Sequence, residues 1–188
     1  MTEGNHVILY LPELENKQDY WLECTSKSTP FGYMGDFTDD RDALVITPEG
    51  GKLVHTTSYS EQQNLQTTTG KFTIHKEGNI TGDLKMVSEG VQYSWRSHLD
   101  LKNTKDLEKS YLEFWNHLNG VSIINATTTN ERSVPRFTES VSVNISNYGS
   151  KSGNLLLFQP NILNRHGVEP PAYEDRNFDL EIERGYID

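Results

Sequence analysis

Cysteine is nearly absent: Cys24 is the only one in 188 residues. A single thiol excludes an internal disulfide framework and any thiolate-rich zinc site. Long apolar runs are missing too. No stretch approaches the roughly 18 residues that a membrane helix needs, and MTEGNHV lacks the basic-then-apolar pattern of a secretory signal. Basic charge is in deficit. Seventeen Lys and Arg against 27 Asp and Glu leave a net charge of −10, which argues against a nucleic-acid backbone or an anionic membrane as partner. His55, His75, His98, His117 and His166 follow no metal-ligand spacing, so neither a metal nor a cofactor is expected. Sequons start at Asn79, Asn125 and Asn144, as chance allows in a chain this rich in Asn, Ser and Thr.

What is present suffices for one medium domain or two small ones, at the polar end of globular composition. His6 to Leu11 and Tyr20 to Thr25 are apolar, aromatic and β-branched runs separated by PELENKQD, which predicts a hairpin. PFGYMGDF (residues 30–37) reads as a Gly-punctuated aromatic loop. TDDRDALVITPEGGKLVHT then supplies an acidic turn, a strand at Ala43 to Thr47, a Pro-Glu-Gly-Gly turn and a further short strand. Four acids, Asp36, Asp39, Asp40 and Asp42, crowd that turn. Their spacing does not fit a helix–loop–helix calcium site and Arg41 sits among them, so a turn with an internal Asp–Arg pair is expected.

SYSEQQNL marks a domain boundary, giving units at 1–60 and 61–188. Beyond it TTTGKFTIHKEGNITGDLKMVSEG predicts two alternating strands around a Lys-Glu-Gly-Asn turn. One helix follows, capped by Asn103 or Thr104, with an apolar stripe at Leu107, Tyr111, Phe114, Trp115 and Leu118, ending at Asn119-Gly120. VSIIN, RFTESVSVNISNY, NLLLFQPNIL and FDLEIERGYI read as further strands. The fold class expected is mainly β, with a β-sandwich-like second unit carrying a single helix. The chain enters a strand within its first residues and stops inside an alternating pattern without a closing turn. It is therefore expected to be a segment of a longer protein.

Chemistry concentrates in the first hairpin. Centred between Leu14 and Glu15, it sets His6 opposite Glu23, Ile8 opposite Trp21 and Tyr10 opposite Asp19. A register one residue away sets His6 against Cys24, a thiol–imidazole pair. The loop is too long for turn rules to choose.

NHVILYLP followed by YWLECTS resembles the end of the bacterial transglutaminase-like core. There a histidine enters a strand, and Trp-x-x-Asp-x-Thr lies on the neighbouring strand. PFGYMGDFTDDRDALVITPEGGKLV is similar to the continuation of that core in multidomain bacterial proteins. TTTGKFTIHKEGNITGDL through FDLEIERGYID resembles the β-rich domain of unknown function that follows it. The resemblance implies a papain-like core and acyl transfer or hydrolysis at glutamine or peptide amides by a cysteine–histidine–aspartate triad. Carried over, His6 is the general base, Glu23 stands where the orienting Asp belongs, and Trp21 falls at the substrate side.

Two departures matter. Glu for Asp moves the carboxylate by about 1.5 Å unless the backbone compensates, though a glutamate can still orient an imidazole. The family nucleophile lies upstream of the histidine at a helix start, whereas Cys24 sits beside the acid and is expected to be structural. The 188 residues alone are thus expected to be inactive, with the remainder of the core as partner and a protein or peptide as the parent's substrate. The resemblance also implies an exported, cell-envelope parent, and no localisation is read from this chain itself. Two other readings stay open: a non-catalytic protein- or glycan-binding β module, and a self-contained thiol enzyme built on Cys24 and His6.

Overall fold

The computed structural model describes residues 4, 6–13, 19–161 and 163. Two antiparallel hairpins occupy the first sixty. β1 (Leu9–Leu11) pairs with β2 (Tyr20–Leu22), and β3 (Asp42–Thr47) pairs with β4 (Gly50–His55). Isolated two-stranded ribbons bury little, and Leu44, Ile46 and Leu53 of the second hairpin stay exposed.

Most of the remaining strands build one antiparallel sheet. β5 (Gln66–Ile74), β6 (Ile80–Glu89), β7 (Val121–Glu131) and β8 (Arg136–Ile145) lie in the order β5–β6–β8–β7. Strand alternation explains the layering. In β8, Phe137, Val141, Val143 and Ile145 point inward and are buried, while Thr138, Ser140, Ser142 and Asn144 take the opposite face. Their partners on β6 obey the same phase, with Leu84 opposite Val141 and Ile80 opposite Ile145. A bulge at Ile124 shifts the β7 register between Ile123 and Asn125. β9 (Ser150–Ser152) and β10 (Leu155–Leu157) form a small separate pair.

Helices cover the inner face. α1 (Val91–Arg96) runs into a 3-10 turn (Ser97–Leu101), and α2 (Thr104–Phe114) follows. Leu107, Tyr111 and Trp115, spaced by four, join Tyr93, Leu99, Leu84, Met86 and Phe137 in one buried cluster. Each large apolar side chain so buried contributes about 1.5–3 kcal/mol. The Asn103 side chain caps α2 by accepting from the Asp106 amide at 3.0 Å, the cap read in the sequence. The helix stops at Phe114, with Trp115 as its C-cap, one turn short of Asn119-Gly120.

The mainly-β expectation holds, but the single helix becomes two plus a 3-10 turn. Helices, rather than a second sheet, lie against the inner face among the described residues. The sequence of α1 hides it, because Val91, Tyr93 and Trp95 alternate as a strand would. Its N-cap is Gly90, with φ 59° and ψ −138° and no capping side chain. Asn64 substitutes from another loop, its Oδ1 accepting from the Val91 amide at 3.0 Å. A Cβ at position 90 would lie 2.4 Å from that same oxygen, so the cap requires glycine there. Among the described residues of NLLLFQPNIL, Leu155–Leu157 alone is strand, and FDLEIERGYI lies outside the described residues.

The loop after the first hairpin enters the larger unit. Tyr33 belongs to the main cluster, its ring edge-on to Tyr93 at 5.0 Å. Its hydroxyl donates to the Gly90 carbonyl at 2.8 Å and lies 2.6 Å from the Ser94 hydroxyl. Trp95 Nε1 donates to Asp36 at 2.8 Å, and Arg132 reaches the carbonyls of Lys27 and Thr29 at 3.3 Å each.

Candidate functional site

The first hairpin selects a third register. Tyr10 faces Trp21 and Leu11 faces Tyr20, two residues displaced from the expected pairing. A shift of two keeps every side chain on its face, whereas a shift of one reverses them all. His6 and Glu23 therefore meet. His6 Nε2–H donates to Glu23 Oε2 at 2.7 Å, with the side chains 21% and 12% exposed.

Glu23 is held from its other oxygen. Oε1 accepts from the Thr25 amide at 2.9 Å and from the Thr25 hydroxyl at 2.6 Å. Burial opposes ionisation of this carboxyl, but the two Thr25 bonds and His6 outweigh it and hold it below its ordinary 4.5. The sign follows: its contribution to stability is present above pH 4.5 and fades as pH falls through the lower folded value. Phe37 stands edge-on against the imidazole at 5.1 Å. With Nε2 bonded to a carboxylate, the neutral ring carries its proton there and leaves the Nδ1 lone pair available as a base.

Trp21 is only 6% exposed and its ring lies 4.6 Å from that of Tyr10. Tyr10 donates to Asp19 at 2.6 Å. Trp21 is thus largely buried against Tyr10 rather than an open binding surface. Cys24 follows Glu23 past the end of β2, exposed, with Sγ 3.6 Å from the Leu22 carbonyl. The one-residue register that would set it against His6 is not adopted. The pH dependence of Cys24 alkylation by iodoacetamide is therefore expected to be the same in His6→Ala as in the parent chain. A profile that moved with the substitution would contradict the register.

The acidic turn also departs from expectation. Arg41 Nε donates to the Phe37 carbonyl at 2.9 Å rather than to an aspartate. Asp40 and Asp42 instead flank His55, at 2.9 Å from Nε2 and 2.8 Å from Nδ1. Two carboxylate acceptors require a proton on each ring nitrogen, so this geometry favours the imidazolium. The bonds to Asp40 and then Asp42 raise His55 above its ordinary 6.5. Its stabilising effect is full below pH 6.5 and fades as pH rises through the folded value. The His55 midpoint followed by NMR should lie above 6.5 and fall in both Asp40→Asn and Asp42→Asn. Unchanged midpoints in both would contradict the clamp.

Among the described residues, no three His, Cys, Asp or Glu side chains gather as a metal site, and no helix is long and apolar enough to cross a membrane. Apart from the sequons at Asn125 and Asn144, the sequence offered no candidate residue in β5 to β8. Yet Glu139 sits at 0% exposure on the apolar face of β8, bound by Arg96 and Tyr111. The available signal was one acid in the inward phase of an otherwise apolar strand. No protein-family model, characterised protein or solved structure matches the chain.

Proposed function

We propose that the first hairpin is the base-and-orienter half of a transglutaminase-like acyl-transfer site. The observation that carries this reading is the His6–Glu23 hydrogen bond at 2.7 Å, with the second carboxylate oxygen fixed by Thr25. Glu23 stays ionised and fixes the ring with Nε2 protonated, while Nδ1 is the base. A cysteine thiol supplied by a segment outside these 188 residues gives its proton to Nδ1. The thiolate adds to a glutamine or peptide carbonyl carbon, and the imidazolium returns the proton to the departing ammonia or amine. The resulting thioester is then resolved by an amine or by water. Cys24 has no part in this; it is exposed, with its Sγ turned to the Leu22 carbonyl.

The test is glutamine-dependent hydroxamate formation by the longest natural product that contains this sequence. Activity is expected there, unchanged by Cys24→Ser, and absent from the 188-residue chain. Hydroxamate formed by the 188 residues alone and lost in Cys24→Ser would sink this reading in favour of a self-contained thiol enzyme.

A further inference from the structure

The outer face of the four-stranded sheet carries no covering helix or strand among the described residues, and its composition is unusual. Cross-strand pairing lines its side chains up in rows. One row runs Lys71, Asp83, Ser142, Asn125 and the next runs Thr69, Lys85, Ser140, Thr127. The flanking rows run Thr67, Val87, Thr138, Thr129 and Thr73, Thr81, Asn144, Ser122, and beyond the first of these the paired charges Glu89, Arg136 and Glu131 close the face. At the centre the first two rows line an open trough of about 280 Å³, beside the β7 bulge.

Charge singles this trough out. The chain is acidic overall, at −10, yet Lys71 and Lys85 reach the trough from adjacent strands and make no ion pair or hydrogen bond among the described residues. The one acid, Asp83, accepts from the Ser142 hydroxyl at 2.6 Å, which fixes its direction and leaves its second oxygen as an acceptor.

We infer that this trough binds a carboxylated saccharide chain, with the Lys71 and Lys85 ammoniums on the ligand carboxylate and Asp83, Asn125, Thr69 and Ser140 on ring hydroxyls. A peptide fits less well. β6 and β8, which floor the trough, have their backbone groups consumed by ladders on both sides, the open edges of the sheet being those of β5 and β7, and no apolar pocket waits on this face for a side chain. A neutral sugar also fits less well, because no aromatic ring on this face offers a stacking platform. Ionic contacts must supply the strength and the hydroxyl rows the selectivity. The site is independent of the role given to His6.

The probe is a galacturonic acid tetramer titrated into the full 188-residue chain, followed by amide NMR shifts. Saturable shifts confined to β5, β6, β7 and β8 are expected, weakened by added salt. Lys71→Gln and Lys85→Gln, both exposed and expected to leave the fold intact, should each weaken binding by about tenfold. Three results would overturn the inference: no saturable shift, affinity unchanged in both variants, or equal binding of poly-glutamate. The last would mean that charge is attracted without any reading of hydroxyls.

Discussion

Glu139→Ala is expected to remove about 3–5 kcal/mol of folding stability, measured by urea unfolding, because it strands a guanidinium in the core. Arg96 Nε and Nη2 grip the two Glu139 oxygens at 3.0 and 2.6 Å, and the Tyr111 hydroxyl donates to Oε1 at 2.8 Å. Burial, and then the neighbouring carboxylate, push the Tyr111 hydroxyl well above its ordinary range, which keeps it a donor. The Arg96 side chain is 14% exposed, with its guanidinium 4.6 Å from the centre of the Phe114 ring, so water reaches it poorly. Removing the carboxylate therefore leaves a charge with neither partner nor solvent.

The size of the loss belongs to the broken pair and not to the intact one. Exchanging both partners, as Arg96→Met with Glu139→Leu, should recover most of the stability, since a buried ion pair and a well-packed apolar pair are often of similar worth. Tyr111→Phe should cost about 1.5–3 kcal/mol, the value of a hydrogen bond to a charged acceptor. If Glu139→Ala proved no more harmful than Tyr111→Phe, the guanidinium would have found another partner, and the account of this core would fail.

His6→Ala in the longest natural product containing this sequence should lower kcat/KM for hydroxamate formation by about 10³ or more, since one positioned base contributes 10²–10⁴. On the proposed role the fall should appear in kcat, because a general base acts on the reacting proton and not on the resting substrate. Glu23→Gln should be nearly as severe. Its amide can donate to Nε2 and favour the tautomer with the proton on Nδ1, which removes the base while preserving the geometry. Glu23→Asp keeps the charge, but the shorter side chain pulls the carboxylate back by about 1.5 Å. It should be milder than Glu23→Gln. A change confined to KM in His6→Ala would remove the histidine from the chemistry.

The hairpins, the four long strands and the cap of α2 were legible because each rests on local rules. Asn103 with Asp106, and the spacing of Leu107, Tyr111 and Trp115, need no tertiary knowledge. α1 was not legible, since its cap comes from Asn64 in another loop and its residues carry a strand-like alternation. The register of the first hairpin was not legible. The sequence left both parities open, one setting His6 with Glu23 and the other with Cys24, and the observed pairing of Tyr10 with Trp21 is neither of the two registers weighed, because the connection is too long for turn rules to fix it. Nothing in nearby residues announced that Arg96 and Glu139, 43 positions apart, would meet. Long-range pairing of charges is invisible to periodicity.

Tyr33 gives the first hairpin an unexpected dependence. The loop that carries it also carries Phe37, the ring resting on His6, while Tyr33 itself is sunk among Tyr93, Gly90 and Ser94. The imidazole is thus referenced to a frame some ninety residues further along the chain. Evolution can therefore tune the first hairpin by drift around α1, through substitutions that never touch it. Transplanting the hairpin as a cassette without α1 would carry the functional groups across and leave their alignment behind.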